Sequence, residues 1–380
     1  MKRRIILLPS LIILLLGGPR QLFAWDGAFF DLFQVPFSAR EAALGGVHAA
    51  QADDVSTLVS NPAGFRSAGP DVSFGTATLS IYDSAPSLID QIVTGQLNTT
   101  PSEQRSMVNL LGPLLFAYVG NGLGFGVFTD SDVRTVTTGT TSSSVLTENL
   151  VLIPGYAFRI PLPDEWQSTL DIGFSLPFFL AARSFTGRDI RDLFTSSMTP
   201  TELVIDQPFY IGAGVGAEIG ILYTWNGMFS VGIAARNLAI TTWATYPTLR
   251  SYFAGDSPVN KIVPLPMDIS VGIRWSPPIK MLIRSVDGLS LMADYSNIFD
   301  FAIYPAGATN PLLHFGIGIE ITLLKVVKLR AGFYQLLPSG GLSLDLSLFT
   351  LDLAVFGREL STQPWTDPVY GFMAGIRFRA

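Results

Sequence analysis

Two histidines, His48 and His314, supply all the imidazole in this 380-residue chain, which has no cysteine. A catalytic or zinc-binding histidine needs partners at defined spacing, and neither residue has them in the sequence. Both are expected to be structural or to face an interior cavity. The adjacent carboxylates Asp53 and Asp54 could contribute to a Ca²⁺ site, but two neighbouring acids are only a fragment of the oxygen shell that ion takes. An ion pair with another part of the chain is the stronger expectation. No glycine-rich loop follows a strand and opens a helix, so the 36 glycines do not cradle phosphate. No serine has the strand–turn–helix setting of an activated nucleophile. These residues point away from an enzyme, and neither metal nor cofactor is expected.

The remaining candidates are charges embedded in apolar runs. Arg236, Arg274, Arg330 and Arg377 share the polar parity of their segments, as do Asp171, Glu218, Asp294, Glu320, Asp345 and Asp352. Two roles fit them. Charges inside a membrane protein usually pair with one another, here stiffening a wall and fastening whatever lies inside it. Alternatively, one or two guanidiniums hold a substrate carboxylate, which their planar fork suits. The sequence leaves both open.

The elements that carry these charges alternate with period two. From Phe209 to Ile221 the odd positions are apolar, while the even ones are Tyr210, Gly212, Gly214, Gly216, Glu218 and Gly220. From Leu313 to Leu323 the odd positions are again apolar, with His314, Gly316, Gly318, Glu320 and Thr322 between them. Successive strand side chains point to opposite faces, so each run has one apolar and one small or polar face. A soluble sandwich would place Lys, Glu and Thr on its second face. Gly, Ser and isolated charges instead fit a lipid-facing exterior around a crowded lumen, and repeated strand glycine implies close approach by something filling that lumen. Composition agrees: hydrophobic residues make up 48% and charged residues 14%, against roughly 25% charged in soluble domains. In lipid every backbone group must be paired, which forces such a sheet to close.

Strand-like runs lie near 71–81, 113–119, 122–129, 144–160, 168–183, 208–222, 228–240, 266–276, 288–296, 311–323, 327–336, 341–349, 350–357 and 369–379. The expected fold is therefore all-β, a transmembrane antiparallel barrel of about 14 strands, an even number as bacterial barrels require. Pro338-Ser339-Gly340-Gly341 reads as a hairpin turn. Longer connections are expected at 84–112, 184–206 and 241–265; in the first, Leu88, Ile89, Ile92 and Val93, then Met107, Val108, Leu110 and Leu111, have the spacing of short amphipathic helices. In the last strand Tyr370, Phe372, Ala374, Ile376 and Phe378 share one face. This run resembles the terminal strand read by outer-membrane assembly machinery, although it continues past Phe378 to Arg379 and Ala380.

Ahead of the barrel lie two further segments. Lys2, Arg3 and Arg4 precede an apolar run from Ile5 to Leu16 that is too short to span a bilayer, and Leu22-Phe23-Ala24 offers a cleavage point. Residues 1–24 are thus expected to be a secretory signal. Residues 37–65 lack a clean strand period and are rich in Ala and Gly, which suits a segment packed in a confined space. Asn61-Pro62 favours a turn there.

Ala39-Arg40, Gly45-Gly46, Asp53-Asp54 and Asn61-Pro62-Ala63-Gly64 together resemble the leader of the FadL-like family of outer-membrane proteins, which transport long-chain fatty acids and aromatic hydrocarbons. Ala43-Leu44 replaces the usual glycine-containing step of that leader. The resemblance extends to PorV-type barrels and to spirochaetal FadL-like proteins, the latter most visibly from Gly341 onward, including Phe356-Gly357-Arg358-Glu359-Leu360. It implies that residues 25–70 form a hatch inside a barrel of residues 71–380, with Asn61, Pro62 and Ala63 in the hatch. It further implies a bacterial outer-membrane location and passive uptake of hydrophobic compounds. The expected partners are outer-membrane lipid, hydrophobic small molecules and the assembly machinery. The alternative is a non-transporting PorV-type barrel that anchors or shuttles secreted proteins, and a surface adhesin is a third possibility. The net charge of -6 argues against a nucleic-acid partner.

Overall fold

A computed structural model describes residues 36–83, 104–138, 141–189, 205–264, 267–278, 286–303, 305, 308–346 and 348–379. The targeting segment expected at 1–24 and the helical spacing at Leu88–Val93 lie outside them. Sixteen strand segments follow one another: β1 (Asp71–Asp83), β2 (Gln104–Gly120), β3 (Leu123–Thr138), β4 (Thr141–Ile160), β5 (Ser168–Ser175), β6 (Phe178–Asp189), β7 (Phe209–Trp225) and β8 (Phe229–Tyr246), then β9 (Val259–Pro264), β10 (Asp268–Trp275), β11 (Val286–Tyr295), β12 (Phe315–Leu323), β13 (Val327–Tyr334), β14 (Leu337–Asp345), β15 (Phe349–Glu359) and β16 (Pro368–Arg379). All pairings are antiparallel, and β1 pairs with β16, so the sheet closes on itself.

The sixteen segments occupy fourteen positions in the wall. β5 and β6 lie end to end: β4 pairs with β5 through Gly155–Ile160 and with β6 through Thr141–Leu152, and β7 flanks both from the other side. β9 and β10 share β8 in the same way. The first break falls at Leu176-Pro177, where proline has no N–H for the ladder. The wall is still stitched there, because Leu176 N–H donates to Pro154 (2.9 Å) and Gly216 N–H donates to the Pro177 carbonyl (2.8 Å).

The two faces sort as their periodicity requires. Val215 and Ile219 on β7, Ile317 on β12, and Tyr370, Phe372 and Phe378 on β16 face outward and are exposed. The intervening Glu218, Glu320 and Met373 are buried. No helix among the described residues is long and apolar enough to cross a membrane, so the apolar exterior belongs to the strands.

The connections depart from expectation in three places. Residues 338–341 are not a turn: Pro338, Ser339, Gly340 and Gly341 pair with Phe333, Gly332, Ala331 and Arg330. The turn starts three residues earlier, at Gln335 and Leu336, which both take positive φ (52° and 66°), the backbone a two-residue hairpin needs. Met107, Val108, Leu110 and Leu111 lie on β2 rather than on a helix, paired to Arg134, Val133, Ser131 and Asp130. The interval 241–265 is partly strand as well, with β8 running to Tyr246 and β9 starting at Val259 around a six-residue helix, Leu249–Ala254. Strand length exceeds what an apolar pattern can reveal, because the ends that leave the bilayer carry polar side chains on both faces.

Candidate functional site

Residues 36–70 supply the inner half of the site, and local chemistry sets their path. Ser38 caps a short helix, α1 (Ala39–Ala43), by accepting from Glu41 N–H (3.2 Å), while the Glu41 carboxylate accepts from Phe37 N–H (3.1 Å). This reciprocal pair satisfies two donors that a helix start leaves open. Gly45 and Gly46 then turn the chain at φ 73° and 74°. Asp54 caps the next short turn by accepting from Ser56 N–H (2.8 Å).

Asn61 closes the path and is fully buried. Its amide donates to Ala49 (2.6 Å) within the segment and to Ile221 on β7 (3.3 Å), and its carbonyl oxygen accepts from Ala63 N–H (3.0 Å). One side chain thus ties the segment to itself and to the wall. Pro62, Ala63 and Gly64 follow into a second short helix, α2 (Gly64–Ser67), and Ala63, Gly64 and Phe65 are all buried.

The wall is shaped to receive this segment. A Cβ on Gly220 of β7 would lie 2.9 Å from Ala63 N and from Pro62 Cδ, and would overlap the Asn61 side chain. A Cβ on Gly232 of β8 would lie 2.5 Å from the Ala49 carbonyl carbon and 2.8 Å from Ala50 Cα. At Gly232 the approaching atoms are all backbone, which cannot swing aside, and at Gly220 they are backbone together with the Pro62 ring and the hydrogen-bonded Asn61 side chain, so a side chain fits at neither position.

Charge fastens the two halves. Arg40, buried, donates to Asp53 (2.6 and 3.1 Å), to Asp54 (3.1 Å) and to Glu320 of β12 (2.9 and 3.0 Å). Arg330 of β13 also donates to Glu320 (2.7 Å) and reaches Asp352 of β15 (3.1 Å). Arg274 of β10 donates to Asp53 (3.0 Å). Arg377 of β16 lies 3.9 Å from Asp54 and 3.7 Å from Asp71. Eight of the residues singled out in the sequence therefore meet in one network. Arg236 lies apart, paired with Asp268 and donating to the Val59 carbonyl of the segment (3.2 Å). Glu218 is also apart and accepts from Ser175 (2.8 Å).

The network sets the ionisation of the segment's acids. Burial alone would favour the neutral forms, but the Arg40 guanidinium, with Arg274 beside Asp53 and Arg377 beside Asp54, outweighs it. Asp53 is held well below the usual carboxylate range, and Asp54 is pulled down to about 2. Burial likewise disfavours the charge on Arg40, yet Asp53, Glu320 and Asp54 hold its pKa above the ordinary value. Glu41 moves the other way: burial raises it against the pull of His48 and Arg236. His48 lies beside Glu41 (Nδ1 to Oε1 3.9 Å), its Nδ1 2.8 Å from the Gly46 carbonyl, while its own N–H and that of Ala49 donate to Asp294 of β11 (both 2.6 Å).

A cavity of about 70 Å³, partly open to solvent, lies between the segment and the wall. One part of its lining is apolar, formed by Phe37, Val55, Leu58, Leu111, Ala117 and Phe128; the other is charged, with Arg40, Lys328, Arg330 and Arg377 set among Asp54 and Asp352. The wall beside it is irregular. Pairing shifts register between Phe74 and Ala77 against β16, between Phe74 and Thr78 against β2, and between Leu111 and Leu115 against β3. Three successive ladders are interrupted at one level, next to cavity residues Thr78, Leu111 and Ala117.

Sequence reading missed a second group of charges further along the lumen: Asp130, Asp132 and Arg134 on β3, Arg183 on β6, and Arg358 on β15. The signal was the continuing alternation of Phe128, Asp130, Asp132 and Arg134 past the point where the apolar pattern stops.

No family model matches this chain, and no curated protein matches it either. Solved structures do. The toluene transporter TbuX of Ralstonia pickettii aligns with a TM-score of 0.51 at 15% identity, over 90% of this chain and 97% of that one. A deltaS2 mutant of the monoaromatic hydrocarbon channel TodX aligns with a TM-score of 0.51 at 11% identity, over 90% and 98%. A FadL homologue of Pseudomonas aeruginosa aligns at 0.44 and 8% identity, over 91% and 99%. The first two are transport channels, and this chain shares their fold: a closed antiparallel barrel of fourteen strand positions.

Proposed function

We propose that the protein is a bacterial outer-membrane channel for passive uptake of hydrophobic compounds, including long-chain fatty acids, with residues 36–70 acting as its hatch. The observation that carries this reading is the cavity. Part of its lining is apolar, where a water-poor solute could rest. One side of it is the segment held by Arg40 and Asn61, and the other is wall with three interrupted ladders. A greasy solute gains little from a water-filled pore. It gains from a passage lined by Phe37, Leu58 and Phe128, left by displacement of the hatch or through the adjoining wall. The four longest connections, 84–103, 190–208, 247–258 and 296–314, leave from one end of the barrel, the arrangement expected of an extracellular face. Fold likeness to toluene and monoaromatic hydrocarbon channels supports the same reading.

The test is flux. Proteoliposomes carrying the full-length protein are expected to take up toluene and a long-chain fatty acid faster than empty vesicles, and a deletion strain is expected to lose the corresponding uptake. Equal rates with and without the protein would refute the proposal. Stable co-purification of a secreted protein, together with absent flux, would point to a barrel that anchors other proteins.

A further inference from the structure

On the outside of the barrel, one aromatic cluster takes no part in the site above. Phe209 and Tyr246 face each other across β7 and β8, in the same outward series as Val215 and Ile240, which are exposed. The connection that follows β8 folds back onto them as a third short helix, α3 (Leu249–Ala254). Its Tyr252 ring lies 5.1 Å from Phe209 and meets Tyr246 edge-on at 5.2 Å, and Phe253 meets Tyr252 edge-on at 5.5 Å. Tyr252 therefore packs against the outer face of the wall. The helix is fixed at both ends. Thr248 caps it by accepting from Ser251 N–H (3.1 Å), and Gly255 ends it at φ 84°. Leu249 N–H donates to the Gln207 carbonyl (2.9 Å) and Arg250 donates to Asp206 (2.9 Å), which ties the helix to the segment that enters β7. No residue of α3 is buried, and Phe253 is half exposed. A fixed helix that holds a phenylalanine outward beside an apolar wall presents it to whatever that wall meets, which for a membrane barrel is lipid.

Height along the wall identifies the layer. Phe209 and Trp225 stand at the two ends of β7. Trp225, Phe229 and Trp275 are register neighbours across β7, β8 and β10, so they form a second aromatic row at the far end. With a rise of about 3.4 Å per residue and a strand tilt of about 40°, the two rows are about 40 Å apart along the barrel axis. The apolar band of an outer-membrane barrel is only about 25 Å tall, whereas a bilayer with its headgroups measures about 40–45 Å. The α3 cluster thus stands beyond the hydrocarbon, at the level of the headgroups, where a ring with an apolar body and a polar tip is well placed.

We propose that α3, with Phe209 and Tyr246, is an interfacial foot that binds the lipid headgroup layer and holds residues 247–258 down on the membrane. Its occupant is lipid because the cluster continues the apolar exterior of β7 and β8 without a break. This seat in the membrane is independent of what passes through the barrel.

The chain has no cysteine, so Phe253→Cys carries a single fluorophore. The full-length protein is reconstituted into phosphatidylcholine vesicles that contain a nitroxide either on the headgroup or at the end of the acyl chain, and iodide serves as the aqueous quencher. Phe372→Cys, on the exterior of β16, is the reference. The two nitroxides differ in depth by roughly 15 Å, half of the hydrocarbon core. The label at position 253 is expected to be quenched about twofold or more better by the headgroup nitroxide than by the chain-end one, and the label at 372 is expected to show the reverse order. Quenching at 253 by iodide alone would overturn the proposal. Protection from all three quenchers would also overturn it, in favour of a second copy of the chain on the cluster. Stronger quenching of 253 from the chain end would overturn the headgroup placement. If the chain-end nitroxide did not reach 372, the membrane barrel itself would fall and the foot with it. Should Phe253→Cys not fold, Ala254→Cys on the same exposed turn carries the same comparison. Flux of toluene or a fatty acid is measured on the same vesicles, so loss of the foot and loss of the uptake reading are told apart.

Discussion

Placing one methyl on Gly232 tests whether the wall and the inner segment are fitted to each other. A Cβ there would lie 2.5 Å from the Ala49 carbonyl carbon, against 3.4 Å for ordinary contact, so Ala49 must retreat by about 0.9 Å (3.4 minus 2.5) or more. Ala49 and His48 donate to Asp294 at 2.6 Å each, and Asp294 is fixed in β11 of the wall. A retreat of that size stretches both bonds to about 3.5 Å, where hydrogen bonds fail. Hydrogen bonds to a charged partner are worth roughly 1.5–3 kcal/mol each. With partial relaxation, seating of the segment should weaken by about 3 kcal/mol, roughly a hundredfold in the displaced population. The matched control is Gly288→Ala on β11, whose Cβ would meet nothing closer than the Thr322 side chain at 3.8 Å. Single-channel conductance in planar bilayers and protease cleavage within residues 36–70 report the displacement. Gly232→Ala should raise both and Gly288→Ala neither, with equal heat-modifiable mobility showing that both barrels form. If the two variants behave alike, the claimed fit is wrong.

Three further outcomes follow from the same geometry. Arg40→Met takes the shared cation from Asp53, Asp54 and the buried Glu320, which costs up to about 3–5 kcal/mol; cleavage within 36–70 should rise sharply, and resistance equal to wild type would contradict the hub role. Asp54 is acidified on folding, from an ordinary value of roughly 3.9 to about 2. Its contribution is therefore complete above about pH 4 and disappears as pH falls through 2, so conductance should climb between pH 4.5 and 2.5 and stay level above pH 5. Phe372→Lys puts a charge on the exterior of β16; near the bilayer midplane that costs about 2–4 kcal/mol, visible as a lower urea midpoint for folding into vesicles.

Period-two alternation carries the wall. Each of the fourteen apolar runs corresponds to one of the fourteen positions, even where Leu176-Pro177 splits a single run into β5 and β6. Register and inward parity follow from the same signal, which is why Arg236, Arg274, Arg330 and Arg377 all face the lumen. What the pattern could not show is which charges meet. Arg40 and Glu320 are 280 residues apart, and only the three-dimensional path of the leader joins them. The polar ends of β3 and β6 were lost for another reason. Once a strand leaves the hydrocarbon layer its outer face no longer has to be apolar, and Asp130 and Asp132, past the run that stops at 129, then read as loop. Gly340-Gly341 misled because turn glycines and glycines beneath an approaching chain are identical in sequence; Gly341 lies under Ala43.

The seam between β1 and β16 constrains how this molecule is made. Ser73 pairs with Arg379, joining the first strand of the ribbon to its sixteenth, and residues 36–70 end immediately before that seam. A cylinder already zipped shut would have to swallow more than thirty residues lengthwise past Asp294 and Arg330. If residues 36–70 act as the proposed hatch, their seating is expected to precede the pairing of β1 with β16, so that the final stitch completes the cylinder around them.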